Sequence, residues 1–108
     1  MSTTSTAFLD LAAEVEVQPG GTLSKTVYQD DFLKVIVFAF DTDQELSEHT
    51  AAVPAILQFL EGKATITFGE QTMVSTANSF VHMTAKLPHS IRAHEPTKMV
   101  LLLLKGAK

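Results

Sequence analysis

Short β-patterned runs recur along most of this chain at intervals of about ten residues, with polar turns between them and no long helical period. That spacing limits the fold more than any other feature. Thr22 to Tyr28 alternates, with Leu23, Lys25 and Val27 on one face and Ser24, Thr26 and Tyr28 on the other. Phe32 to Phe40 is nearly continuous in β-branched and aromatic residues, the text of a strand covered on both faces. Asp41-Thr42-Asp43 supplies a turn. Ala55 to Leu60 and Lys63 to Phe68 flank Glu61-Gly62, which reads as a tight hairpin. Gly69-Glu70-Gln71 makes the next turn. Thr72 to Ser75, Phe80 to Thr84, His89 to Ala93 and Lys98 to Leu104 complete the strands. Many short strands of this kind build an all-β sandwich or jelly-roll barrel.

The N-terminal part reads differently. Residues 1–7 are rich in Ser and Thr with nothing to bury, and are expected to fray. A brief helical turn is expected over Phe8 to Ala13, and Pro19-Gly20-Gly21 then breaks the chain where the barrel begins. With 108 residues and no linker or repeat, residues 8–108 form one domain.

Composition removes several functions. Apolar residues make up 45% of the chain, enough for one core. The net charge of −4 comes from scattered acids, and no Lys/Arg cluster exists to follow a phosphate backbone, so nucleic acid is not an expected partner. Cysteine is absent, which excludes disulfides, thiolate catalysis and iron–sulfur ligation. The polar N-terminus lacks the pattern of a signal peptide, and Met99 to Leu104 is too short to span a bilayer. A cytoplasmic protein that does not engage a membrane is the expectation.

Two stretches carry a family resemblance. Phe59-Leu60-Glu61-Gly62-Lys63-Ala64 and Leu87-Pro88-His89-Ser90-Ile91-Arg92-Ala93 resemble the two motifs of the cupins, and the likeness extends over residues 22–104. It implies a double-stranded β-helix, or jelly-roll barrel, to which the short helical turn read at Phe8 to Ala13 is an N-terminal extension. In that family three histidines and a glutamate project into the barrel and bind a divalent metal such as iron, manganese, zinc or nickel. Carried over by position, Ser47 stands at the first histidine, His49 at the second, Ala55 at the glutamate and His89 at the third histidine. Asp41, Asn78 and Lys86 stand at glycines, Thr84 at the proline and Ala93 at the asparagine. His49 and His89 are thus the candidate metal residues, while Ser47 and Ala55 delete donor atoms.

Two imidazoles alone make a weak site, because a tightly held transition metal takes three or four protein ligands. Strand parity argues against a replacement from Gln58 or His94, and leaves the facing of His82 undecided. Counting in twos from the carried-over positions gives an inward set of Ser47, Ala55, Leu57, Phe59 and Ile91, an apolar pocket with few polar atoms. The expected function is binding of a small organic molecule in that pocket, beside a reduced two-histidine site. A metal-dependent dioxygenase, isomerase or decarboxylase of a small organic acid is the alternative that the resemblance implies, and acid/base catalysis by one histidine is a third. Whether the chain is an enzyme stays open on the sequence. The continuous apolar text of Phe32 to Phe40 and Met99 to Leu104 calls for cover on outward faces, and the resemblance implies a homodimer.

Overall fold

The computed structural model describes residues 4–106. One 3-10 turn, Leu11–Glu14, precedes nine strands: β1 (Thr22–Gln29), β2 (Lys34–Phe40), β3 (Glu45–His49), β4 (Ala55–Glu61), β5 (Lys63–Phe68), β6 (Gln71–Thr76), β7 (Phe80–Met83), β8 (His89–Ala93) and β9 (Thr97–Leu103). They form two antiparallel sheets, β1-β2-β9-β4-β7 and β3-β8-β5-β6, packed face to face as a jelly roll. No helix among the described residues is long and apolar enough to cross a membrane.

Alternation explains where the core sits. Phe40, Leu57, Phe59, Ile66, Met83, Ile91 and Met99 project between the sheets and are buried together. In β2 the residues of opposite parity, Val35, Val37 and Ala39, project to the other side and build a second cluster with Val100 and Val15. Its cover comes from the chain itself. Asp10 caps the 3-10 turn by accepting from the Ala12 amide at 3.2 Å, and Leu11, Val15 and Val17 then lie over the sheet. Lys98 Nζ ties this strap down by donating to the Ala12 carbonyl at 2.7 Å. The outer face of this sheet is therefore covered within one chain at Val37 and Ala39 of β2 and Val100 of β9.

Several local expectations need correction. The helical turn begins at Leu11 rather than Phe8, because Asp10 is the residue able to cap it. β2 begins at Lys34 rather than Phe32, because Asp30 Oδ1 accepts from both the Phe32 and Leu33 amides at 2.8 Å and holds them in a turn. Glu61-Gly62 is not a hairpin. β4 and β5 lie in different sheets, and Gly62 is the corner between them. With φ 94° it takes a left-handed conformation, and a Cβ there would collide with the Pro96 carbonyl and Thr97. The actual hairpin turns at Gly69-Glu70, with Phe68 opposite Gln71. The frayed tail expected at residues 1–7 falls partly outside the described residues; residues 4–7 are exposed and carry no regular structure.

The motif substitutions are accommodated one by one. Asp41 closes its turn by accepting from the Thr42 amide at 2.8 Å and the Gly20 amide at 2.6 Å, and these two donors hold its carboxyl below the ordinary value. Asn78 and Lys86 both adopt left-handed backbone, at φ 74° and 69°.

Candidate site at the histidine end of the barrel

The strand ends that gather at one end of the barrel are fixed by register. β2 begins there with Lys34, opposite Leu103 at the end of β9, which is opposite Ala55 at the start of β4, itself opposite Met83 at the end of β7. In the other sheet His49 ends β3 opposite His89, and His89 is opposite Phe68 at the end of β5. Lys34 shares the parity of Ile36 and Phe38, which pack on the inner core, so it too lies on the inner face.

His49 and His89 meet across β3 and β8, with ring centroids 4.1 Å apart and planes at 61°. A β-bulge makes this pairing. Leu46 is opposite Ile91 and His49 opposite His89, so three steps on β3 match two on β8. Leu46 and His49 therefore share the inner face although they are three residues apart. Ser47, expected on that face, is exposed. It contributes its backbone instead: its carbonyl accepts from His49 Nδ1 at 2.8 Å, and the Leu87 carbonyl accepts from His89 Nδ1 at 2.9 Å.

Those two hydrogen bonds determine the chemistry of the rings. A carbonyl only accepts, so Nδ1 carries the proton in both, and in the neutral ring Nε2 keeps a bare lone pair. His89 is 5% exposed, and burial pulls its pKa below the ordinary histidine value. The Leu87 hydrogen bond opposes that shift and the neighbouring His49 adds to it. His89 is thus neutral at pH 7. His49 is exposed and forms the accessible half of the pair.

The other residues expected to line a pocket are core. Ala55, Leu57, Phe59 and Ile91 are each at most 2% exposed, so no water-sized space adjoins them. Counting in twos placed them on the correct face, but bulky neighbours fill the barrel at that depth. Any ligand must sit nearer the rim. Two loops narrow the opening: the Lys86 amide donates to the Ala51 carbonyl at 2.7 Å, and the Leu104 amide to the Pro54 carbonyl at 3.0 Å.

The metal expected from the resemblance can be tested against the donors present. Ala55 supplies none, Ser47 is exposed, and no group of three or more His, Cys, Asp or Glu side chains converges among the described residues. Gln58 and His82 are exposed on the outer face of their sheet, and His94 is exposed beside Thr65, with which it hydrogen-bonds. The residues present do not fit the family's four-ligand centre. What remains is a pair of imidazoles with free Nε2 positions.

A cleft of about 500 Å³ at this end is lined by Phe68, Glu70, Gln71, His82, Thr84 and Leu87, with neither His49 nor His89 in its wall. Phe68 is the strand partner of His89 and Leu87 holds its ring, so the cleft wall and the histidine site share residues. Sequence reasoning missed this cleft, because half of it belongs to loops without strand parity. A second cleft, of about 380 Å³, lies under the N-terminal segment at Phe8, Leu11, Tyr28 and Val35 and contains no histidine.

An antiparallel double-sheet jelly-roll barrel defines a structural class, and solved structures of that class match the chain. A conserved protein of unknown function from Streptococcus pyogenes is 31% identical with a TM-score of 0.83, the match covering 95% of this chain and 90% of that one. A cupin superfamily protein from Desulfitobacterium hafniense is 25% identical with a TM-score of 0.85, covering 94% and 93%. The chain belongs to the cupin superfamily. More distant structural neighbours include an enzyme, salicylate 1,2-dioxygenase from Pseudoaminobacter salicylatoxidans, which at 11% identity and a TM-score of 0.73 shares the fold; the match covers 78% of this chain and 25% of that one. No protein-family model matches the sequence, and no curated protein does.

Proposed function

We propose that this protein binds a small organic molecule at the histidine end of its barrel, with Nε2 of His49 and of His89 as paired hydrogen-bond acceptors. The observation that carries the reading is the fixed tautomer of both rings. Each Nδ1–H is engaged by a backbone carbonyl, so both lone pairs are available to one ligand. Burial of His89 keeps that acceptor neutral near pH 7. Phe68, the strand partner of His89, and Leu87 both pack on the inner core next to the pair, which favours an organic ligand carrying a hydroxyl or amino donor.

A fragment screen followed by imidazole NMR signals and calorimetry tests this. Binding should perturb the His49 and His89 rings together, and His49→Gln or His89→Gln should each weaken it by about tenfold, the loss of roughly one good hydrogen bond. A folded protein whose two rings respond to no member of the screen would remove the basis of the proposal.

The metalloenzyme reading starts from the same tautomers, because a metal ligand also presents Nε2 with Nδ1–H held behind it. The donor count weighs against it, since two imidazoles are fewer than a tight centre takes. Elemental analysis of untagged protein, before and after incubation with iron, manganese, zinc or nickel, discriminates between the two. Near-stoichiometric metal would favour the enzyme and displace the reading given above.

A further inference from the structure

The inner faces of the nine strands carry one residue with a full charge, Lys34. Register places Thr97, Met99, Leu101 and Leu103 of β9 inside, as it does Ala64, Ile66 and Phe68 of β5 and Ala93, Ile91 and His89 of β8. On β2, Lys34 occupies the inward position one step beyond Ile36, at the end of the barrel where β3 finishes at His49. The side chain is half-buried, and no carboxylate lies within ion-pair distance of it among the described residues. Lysine is an expensive residue to hold against an apolar interior without a counter-ion. Its flanking inward positions, Gln29 on β1 and Leu103 on β9, supply no negative charge.

We propose that the molecule bound at the histidine pair is a small carboxylate, with its anionic end at Lys34 and a hydroxyl or amino donor on its other end at His49 and His89. This rests on the function proposed above and adds the ligand's charge. The geometry suits a short molecule. Opposed sheets stand about 10 Å apart, and a lysine stem spans more than half of that, so an acid of a few carbon atoms bridges what is left. The chemistry is complementary at both ends. The cation requires an anion, and the Nε2 positions left free by the two Nδ1–H bonds to backbone carbonyls suit donors at the other end of the ligand. The inward positions of β2, β5, β8 and β9 carry no acid, and the nearest carboxylate on the adjoining cleft is Glu70, in the exposed turn between β5 and β6.

The test uses three acids, glycolate, mandelate and 3-hydroxybenzoate, each against its own amide, in which the charge is deleted and the shape nearly kept. Affinity is read by titration of the His49 and His89 ring signals. For at least one pair the acid should bind about tenfold or more tightly than the amide, with the gap shrinking as salt is raised. In Lys34→Gln the gap should fall below about twofold, and in Lys34→Arg it should persist, both variants being checked for native fold by their amide spectra. Acid and amide binding equally at the two rings would overturn the carboxylate assignment while leaving small-molecule binding in place. A preference for acid that survives in Lys34→Gln would overturn the role of Lys34. If none of the six compounds moves either ring, the carboxylate assignment fails, and the wider screen described above decides the parent reading separately.

Discussion

His89 is held neutral by its surroundings, and that has a price in acid. Its folded pKa lies below the ordinary histidine value of 6.5 that it regains on unfolding. Below about pH 6.5 the unfolded chain therefore binds a proton that the folded chain refuses, and stability falls as pH drops, by at most about 1.4 kcal/mol per pH unit from this one group. Urea melts between pH 7.5 and 5 should show this slope in the native sequence and lose most of it in His89→Gln. Asp30 and Asp41, whose pKa values are lowered by hydrogen bonds, act in a separate and more acidic window, where stability is lost as pH falls below the ordinary carboxylate value of 3.8. A second single-residue effect belongs to Lys86, which takes φ 69° where the family has glycine. Lys86→Gly should raise stability by about 0.5–1 kcal/mol in the same melts, because the relief of left-handed strain exceeds the extra freedom that glycine gives the unfolded chain. The two histidines were legible from the motif because their positions in it are kept. Ser47 was misread because a bulge reverses parity on β3, and nothing in Glu45-Leu46-Ser47-Glu48-His49 announces a bulge. Lys34 shares parity with Phe40 when counted back in twos, but it lies inside an apolar run whose text reads as a strand covered on both faces, where a single charge gives no sign of its facing.

At the scale of elements, β3 and the Gly62 corner show where the sequence was opaque. β3 is polar and mostly exposed, and it pairs with β8 alone, so its residues resemble loop text. A strand is recognised from sequence by what it buries, and this one buries little. Glu61-Gly62 misled for the opposite reason: a glycine between two strand-like runs is the usual mark of a hairpin, and only the pairing reveals a passage between sheets. That corner is intolerant. Gly62→Ala must add a Cβ at a left-handed φ and against the Pro96 and Thr97 backbone, and should cost about 3 kcal/mol or more by combined strain and overpacking. Denaturant titration of G62A against the native chain measures it. Asn78, at one of the substituted glycine positions, closes its turn with its amide donating to the Phe59 carbonyl at 2.9 Å, and Asn tolerates the left-handed conformation.

For the molecule as a whole, the jelly roll was readable because strand spacing and the motif framework are independent signals that agree. The cover over its outer face was not. Continuous apolar text on β2 and β9 demands something on both sides, and which residues of the chain itself supply part of that cover is visible only in the fold of residues 11–17. The strap carries weight in the structure. Val15 is 7% exposed over Val37, Ala39 and Val100, so Val15→Asp should remove about 1.5–3 kcal/mol of apolar burial and strand a carboxylate against the sheet. A lower urea midpoint together with new binding of a hydrophobic dye would register both effects. The lone pairing of β3 reaches further than its misreading. β8 is hydrogen-bonded on both sides and carries a buried ring, whereas β3 is bonded on one side and carries an exposed one. Amide hydrogens should therefore exchange fastest along β3 and slowly in β8, so the two halves of the site differ in rigidity. On the proposed function, His89 would be the fixed jaw of the clasp and His49 the yielding one, so a guest would meet a rigid wall on one side and an adjustable one on the other.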